Sequence, residues 1–399
     1  MTAQTSTPKR VGLPSLTGLR FLAAALVFCF HITLANSPIP PYGPVNPFAD
    51  QGVANGLSWV FGKAGYVGVS FFFVLSGFVL FWSTKPNERA TAFWRRRALK
   101  IFPNHLVMFG LAMALFAAAI TPARAWLPNV FLLHSFFPQA DTYVGVNPPS
   151  WTLCSEVLFY SLFPLLARPV RRIAENRLWL WAGIMVAGTF AVALVTQYVV
   201  PNTPKSPITP VSVTQFWAGY IFPPSRLFEF VFGMLLARIV VAGRAPRLGL
   251  LPAAVLVVVG YAVALFTPFV YGFEAATVVP IGLVIVAFAA ADIRGARTGL
   301  RGRLAVWLGE ISFGFYICQG VVVFYGRRLL GAQPFNGPLA IAVIAGIFAA
   351  TLLGGWLLYT CVERPTMRRW ARKRPHDDPV MVRVAPAEPV ASVAPEANR

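Results

Sequence analysis

Residues 19–31 read LRFLAAALVFCFH. Apart from Arg20 near its start and His31 at its end, the stretch is apolar, long enough with its flanks to cross a bilayer. On a helix the 11 positions from Arg20 to His31 turn through about 1100°, three turns plus about 20°, so both side chains share a face about 16 Å apart along the axis. An ionisable side chain in a membrane span costs several kcal/mol unless it faces protein or water. The stretch therefore reads as a membrane-crossing helix with one functional face.

The rest of the chain agrees with that reading. Of 399 residues, 57% are hydrophobic and 12% charged, and mean hydropathy is +0.64, outside the range of soluble domains. The expected fold is an all-α polytopic membrane protein. Apolar stretches near 13–35, 64–83, 101–121, 150–167, 178–200, 217–240, 249–268, 275–292, 305–326 and 338–361 give about ten transmembrane helices in one bundle. The piece 126–138, WLPNVFLLHSFFP, is short and fenced by prolines and reads as re-entrant or interfacial. A signal-peptide reading of the first span would leave nine spans and waste a histidine. Three regions follow: a cytoplasmic leader over 1–12, the membrane domain over 13–370 and a Pro-, Ala- and Val-rich tail over 371–399 expected to be disordered.

A formal net charge of +20 would suit a nucleic-acid binder only if the cations formed one patch on a polar domain. Here most of the 34 Lys and Arg lie between apolar stretches, on the side shared by the two ends of the chain. The positive-inside rule then makes both termini cytoplasmic. Cys29, Cys154, Cys318 and Cys361 show no CxxC spacing and read as small core residues, and no metal is expected.

That orientation assigns depths. The first span runs outward, with Arg20 deep and His31 near its outer end. The fourth runs inward from PPSWTLCSEVLFY, which suggests Glu156 at the level of His31. The sixth carries Arg226 and Glu229 three apart on one face, more simply a neutralising pair than an acceptor contact. The ninth carries Ser312, Tyr316 and Gln319 toward the outer half, as cavity lining or as interhelical glue. At the cytoplasmic side FWRRRALKIFP, residues 93–103, concentrates Arg95, Arg96, Arg97 and Lys100. Arg97 and Lys100 share a face and suit a phosphorylated ligand, although topology or lipid headgroups also attract such charge.

Taken in order, LTGLRFLAAALVFCFH, GYVGVSFFFVLSGFVL, RRRALKIFP, SWTLCSEVLFYSLFP, RLFEFVFGMLLA, ISFGFYICQ and VERP make the chain, from about residue 13 to 370, resemble the acyltransferase 3 family. Its members move acyl groups, most often acetyl, onto carbohydrate or related hydroxyls. The resemblance implies that Arg20 and His31 form the essential pair, that Arg97 and Lys100 meet the acyl donor, and that Glu156 is the carboxylate of the fourth-span motif. Lys100 stands where a second Arg is usual, Val157 and Leu158 where many relatives are polar or acidic, and Gln319 where many carry a second histidine. His31 is thus left as the base at its level. No extra extracytoplasmic domain is expected beyond the bundle.

The expected enzyme binds acyl-CoA, as co-substrate rather than resident cofactor, with its phosphates on Arg95, Arg96, Arg97 and Lys100. Its arm passes Arg20 to reach His31, with Glu156 or a neighbour orienting that base and Tyr316, Gln319 or Arg226 contacting the oxyanion or acceptor. Direct transfer and an acyl-histidine intermediate both stay open. So does the acceptor: a surface polysaccharide, peptidoglycan, a glycolipid or a macrolide-type hydroxyl at a bacterial inner membrane. The competing class is a transporter or flippase of a glycolipid or small metabolite.

Overall fold

The computed structural model describes residues 11–84, 88–206 and 209–370. The expected tail and most of the expected leader lie outside them. The described residues contain helices and no named strand: α1 (Pro14–Ile32), α2 (Gln51–Phe61), α3 (Ala64–Ser83), α4 (Ala90–Ala112), α5 (Ala123–Val130), α6 (Trp151–Arg172), α7 (Leu178–Tyr198), α8 (Leu227–Val241), α9 (Leu250–Phe266), α10 (Val278–Ile293), α11 (Arg303–Gln319) and α12 (Gly337–Leu357), with short helical turns between several of them.

Seven helical segments among the described residues are long and apolar enough to cross a membrane, fewer than the ten expected. The other three expected spans are shorter helices, α8 of 15 residues, α9 of 17 and α10 of 16. The span drawn over 217–240 is broken because Pro223 and Pro224 supply no backbone N–H and interrupt the chain between Ile221 and Leu227. Pro268 ends α9 in the same way, two residues past Phe266. The basic cluster lies on a helix ahead of Pro103. Arg95, Arg96, Arg97 and Lys100 sit in the first three turns of α4, which continues through a π-helical stretch to Ile120. Among the cysteines, Cys154 and Cys318 are buried, but Cys361 is exposed and is not a core residue.

With apolar side chains on every side of these helices, close packing depends on small residues. A Cβ on Gly77 of α3 would lie 1.9 Å from the carbonyl oxygen of Phe230, and one on Gly233 of α8 equally close to that of Val74, so the two backbones touch. α1 lies between α3 and α11. The contact with α11 is as tight, because a Cβ on Gly309 would meet the Thr17 carbonyl oxygen at 1.9 Å. That approach sets the face of α1 bearing His31 against the face of α11 bearing Gln319.

The 126–138 piece is folded into the bundle. α5 is followed by Leu132 with φ of 56° and a 3-10 turn over His134–Phe136. His105 Nε2 of α4 lies 2.8 Å from the Asn129 carbonyl oxygen, and Trp217 Nε1 donates to that of Ser135 at 2.9 Å. Burial pushes His134 down to about 3, so it stays neutral, with Cys154 Sγ 3.3 Å from its Nδ1.

Candidate active site

A cavity of about 210 Å³ lies at one end of α1. His31 faces it, with Tyr66, Trp151, Tyr220, Tyr316 and Phe324 among its aromatic walls and Asn36 and Thr209 near its rim. The lining is what a mostly apolar ligand with a few polar handles requires. Tyr66 and Tyr220 meet edge to face at 4.7 Å between ring centres, and Trp151 lies 4.7 Å from Tyr220, so the wall is closely packed.

The hydrogen bonds of Gln319 fix the state of His31. Gln319 Nε2 donates to the Ala24 carbonyl oxygen at 3.2 Å. A carbonyl can only accept, so the amide orientation is settled and Oε1 is the atom 2.7 Å from His31 Nδ1. Nδ1 must then carry the proton. In the neutral ring Nε2 holds the lone pair, as a general base or nucleophile needs. The α-helix gives way to a π-helical stretch, Gly320–Tyr325, immediately after Gln319, a distortion frequent at functional sites.

A smaller cavity of about 40 Å³ adjoins the first, and Val69 and Tyr316 line both. Arg20 and Glu156 line this one. The two ends of the 19–31 stretch thus face neighbouring cavities. Glu156, expected at the level of His31, lies instead with Arg20. The segment 123–150 covers the start of α6, so the helix begins inside the bundle. Trp151 occupies the His31 level, and five further residues, about 7.5 Å of rise, carry Glu156 deeper. Gln319 orients His31 in place of Glu156.

Arg20, Lys100 and Arg97 are the cations that act on Glu156. Two cations of the basic cluster are committed to carboxylates: Arg96 pairs with Glu88, and Lys100 lies 3.4 Å from Glu363. Glu363, in the VERP stretch, also accepts from Asn104 at 3.2 Å. Arg95 is exposed. Arg97 lies over the rings of Phe93 and Tyr160, its Nε without a hydrogen-bond partner among the described residues.

Three expected contacts take other roles. Arg226 is fully buried outside both cavities, 2.8 Å from Glu229, paired also with Glu274 and 3.2 Å from Ser70 Oγ. It stacks behind the wall on Tyr220, 4.9 Å from the ring centre. Neither Glu274 nor Ser70 was picked out from sequence. Tyr316 lines the cavity, but its hydroxyl donates to the Pro149 carbonyl oxygen and lies within hydrogen-bond reach of Thr152, each at 3.2 Å. Gln319 is fully buried and does not line the cavity. These two side chains hold the wall and the base rather than presenting free oxyanion donors.

An apolar helical bundle with an oriented histidine beside an aromatic-walled cavity fits a membrane-embedded group-transfer enzyme. The family model described as an acyltransferase domain, acyltransferase 3, matches residues 13–360, and the chain belongs to that family. It is 37% identical to the acyltransferase MdmB of Streptomyces mycarofaciens over 98% of this chain and 99% of that one. It is 25% identical to the exopolysaccharide production protein ExoZ of Rhizobium meliloti, over 78% and 92% of the two chains. To the peptidoglycan O-acetyltransferase OatA of Listeria monocytogenes it is 22% identical, over 91% of this chain and 57% of the relative. No solved structure matches. The chain is thus a multi-pass membrane acyltransferase.

Proposed function

We propose that this enzyme transfers an acyl group, acetyl first of all, from cytoplasmic acyl-CoA to a hydroxyl of a sugar-containing acceptor at a bacterial inner membrane. The charge distribution supports an orientation with ten membrane-crossing segments, both termini inside and the His31 cavity open outward. Donor phosphates engage Arg95 and Arg97, with Arg96 and Lys100 adding charge from their carboxylate pairs. The acyl-bearing arm runs past Arg20 and Glu156 to the neck at Tyr316.

There His31 Nε2 takes the proton of the acceptor hydroxyl as its oxygen attacks the thioester carbonyl. The tetrahedral centre collapses, the C–S bond breaks, and the imidazolium returns the proton to the departing thiolate. Gln319 Oε1 accepts from Nδ1 throughout and stabilises the transient imidazolium. Aromatic walls suit the apolar face of a sugar ring and exclude water that would hydrolyse the thioester. The peptidoglycan and exopolysaccharide named for two relatives support this acceptor class.

The observation that carries the reading is the protonated Nδ1 held by Gln319, which leaves Nε2 basic beside the cavity. The test supplies radiolabelled acetyl-CoA to membranes containing the protein, with and without glycan and glycolipid fractions. Acceptor-dependent label transfer is expected from the wild type and not from a folded, inserted His31→Ala variant. Equal transfer by that variant would refute the proposal.

A further inference from the structure

Beside the His31 cavity, and sharing Phe324 with it, lies another of about 220 Å³, lined among others by Ser37, Val45, Arg327 and Arg328. Arg327 is 1% exposed. Its Nε donates to the Val45 carbonyl oxygen at 2.8 Å and one terminal nitrogen to that of Gln333 at 2.7 Å. The other terminal nitrogen is buried without a partner, and Arg328 has a terminal nitrogen in the same state. No described Asp or Glu forms an ion pair with either arginine. Their planes rest on rings instead, Arg327 on Phe335 at 5.5 Å and Arg328 on Phe116 at 4.9 Å.

Two guanidinium groups that line one cavity, each with a buried unpartnered nitrogen and no counter-charge, are unfavourable unless a ligand supplies one. The cavity is built, not incidental. Backbone bonds from Ala49 to Phe335 at 2.8 Å and from Phe335 to Pro47 at 2.7 Å tie its two loops together, and Arg327 bridges the same loops. Paired guanidiniums with free donors match tetrahedral oxyanions, whose several oxygens accept from both at once. We propose that Arg327 and Arg328 form a phosphate-binding site next to the acyl-transfer cavity. The phosphate is either part of a soluble ligand or the headgroup of a lipid. The site stands on its own geometry, whatever the acyl acceptor is.

The test uses delipidated full-length protein in neutral maltoside detergent, its unfolding temperature read at constant ionic strength. Inorganic phosphate replaces chloride in one arm, and dihexanoyl phosphatidylglycerol is added in the other. A rise in unfolding temperature is expected in at least one arm: with inorganic phosphate the source is a free phosphate, with the lipid alone it is a headgroup. Arg328→Gln, whose side chain spans no backbone contact, should need about 10- to 100-fold more of the effective probe for the same rise. Arg327→Gln should respond likewise where it folds. No rise in either arm, or an Arg328→Gln response equal to wild type, which would assign binding to the Arg95–Lys100 cluster, overturns the proposal.

Discussion

Replacing Gln319 by Leu is the most direct test of the hydrogen-bond logic around His31. Leucine is close in volume, so the contacts between α1 and α11 change little, but the acceptor 2.7 Å from Nδ1 is lost. In the ground state a neutral N–H loses its partner, at about 1–3 kcal/mol. In the transition state the ring is an imidazolium, and a bond to a charged donor is worth about 1.5–3 kcal/mol. The ring also becomes free to place its proton on Nε2 or to rotate. The ground-state loss offsets most of the transition-state loss, leaving about 0.5 kcal/mol from the bond itself, so the freed tautomer and rotation carry most of the defect, about 1.4 kcal/mol in all or about a tenfold loss in kcat. KM for donor and acceptor should move little, since Gln319 faces neither cavity. Gln319→Glu, which keeps an acceptor at the same reach, should recover a large part of the rate. The assay is initial-rate label transfer from acetyl-CoA in detergent-solubilised protein, with unfolding temperature as the control. An unchanged kcat in the Leu variant, or a defect confined to KM, would refute the role given to Gln319.

Arg97→Ala should raise KM for the acyl donor about tenfold, the worth of one charge-assisted contact, with kcat little changed; a donor titration checks it. Arg226→Leu should destabilise the bundle by about 3–5 kcal/mol by leaving Glu229 buried without its counter-ion and Glu274 without its partner, seen as a lower unfolding temperature. Burial holds Glu274, in the loop before α10, well above the usual carboxylate range, so the folded state takes up a proton there. Its contribution to stability is then present at low pH and falls as pH rises from about 4.5 to about 8. Glu274→Gln should flatten that part of the stability–pH profile, measured as unfolding temperature against pH. Gly233→Leu should prevent assembly, because its side chain would enter the backbone of α3; loss of the monodisperse peak on size exclusion reports it.

What sequence could reveal followed from period and composition. The register of Arg20 and His31 needs only the pitch of a helix, and both line adjoining cavities. Long apolar runs such as 64–83 appear with their ends unchanged as α3. Depth was less legible, because it depends on where a helix begins in the bundle and not on where an apolar run begins. Glu156 was misplaced by about one and a half turns for that reason. Partners distant in sequence left no local trace: Glu274 lies 48 positions from Arg226, and Gln319 lies 288 from His31. Glu363 stood inside a recognised motif, yet nothing around it pointed to Lys100 and Asn104.

The two cavities stop against shared side chains, Val69 and Tyr316. Where two hollows meet inside an apolar bundle, water can file through only if the partition between them opens. Tyr316, its hydroxyl already engaged by Pro149 and Thr152, offers passing protons no free relay. The bundle can thus hold a hollow on each side of this partition without a continuous proton path between them.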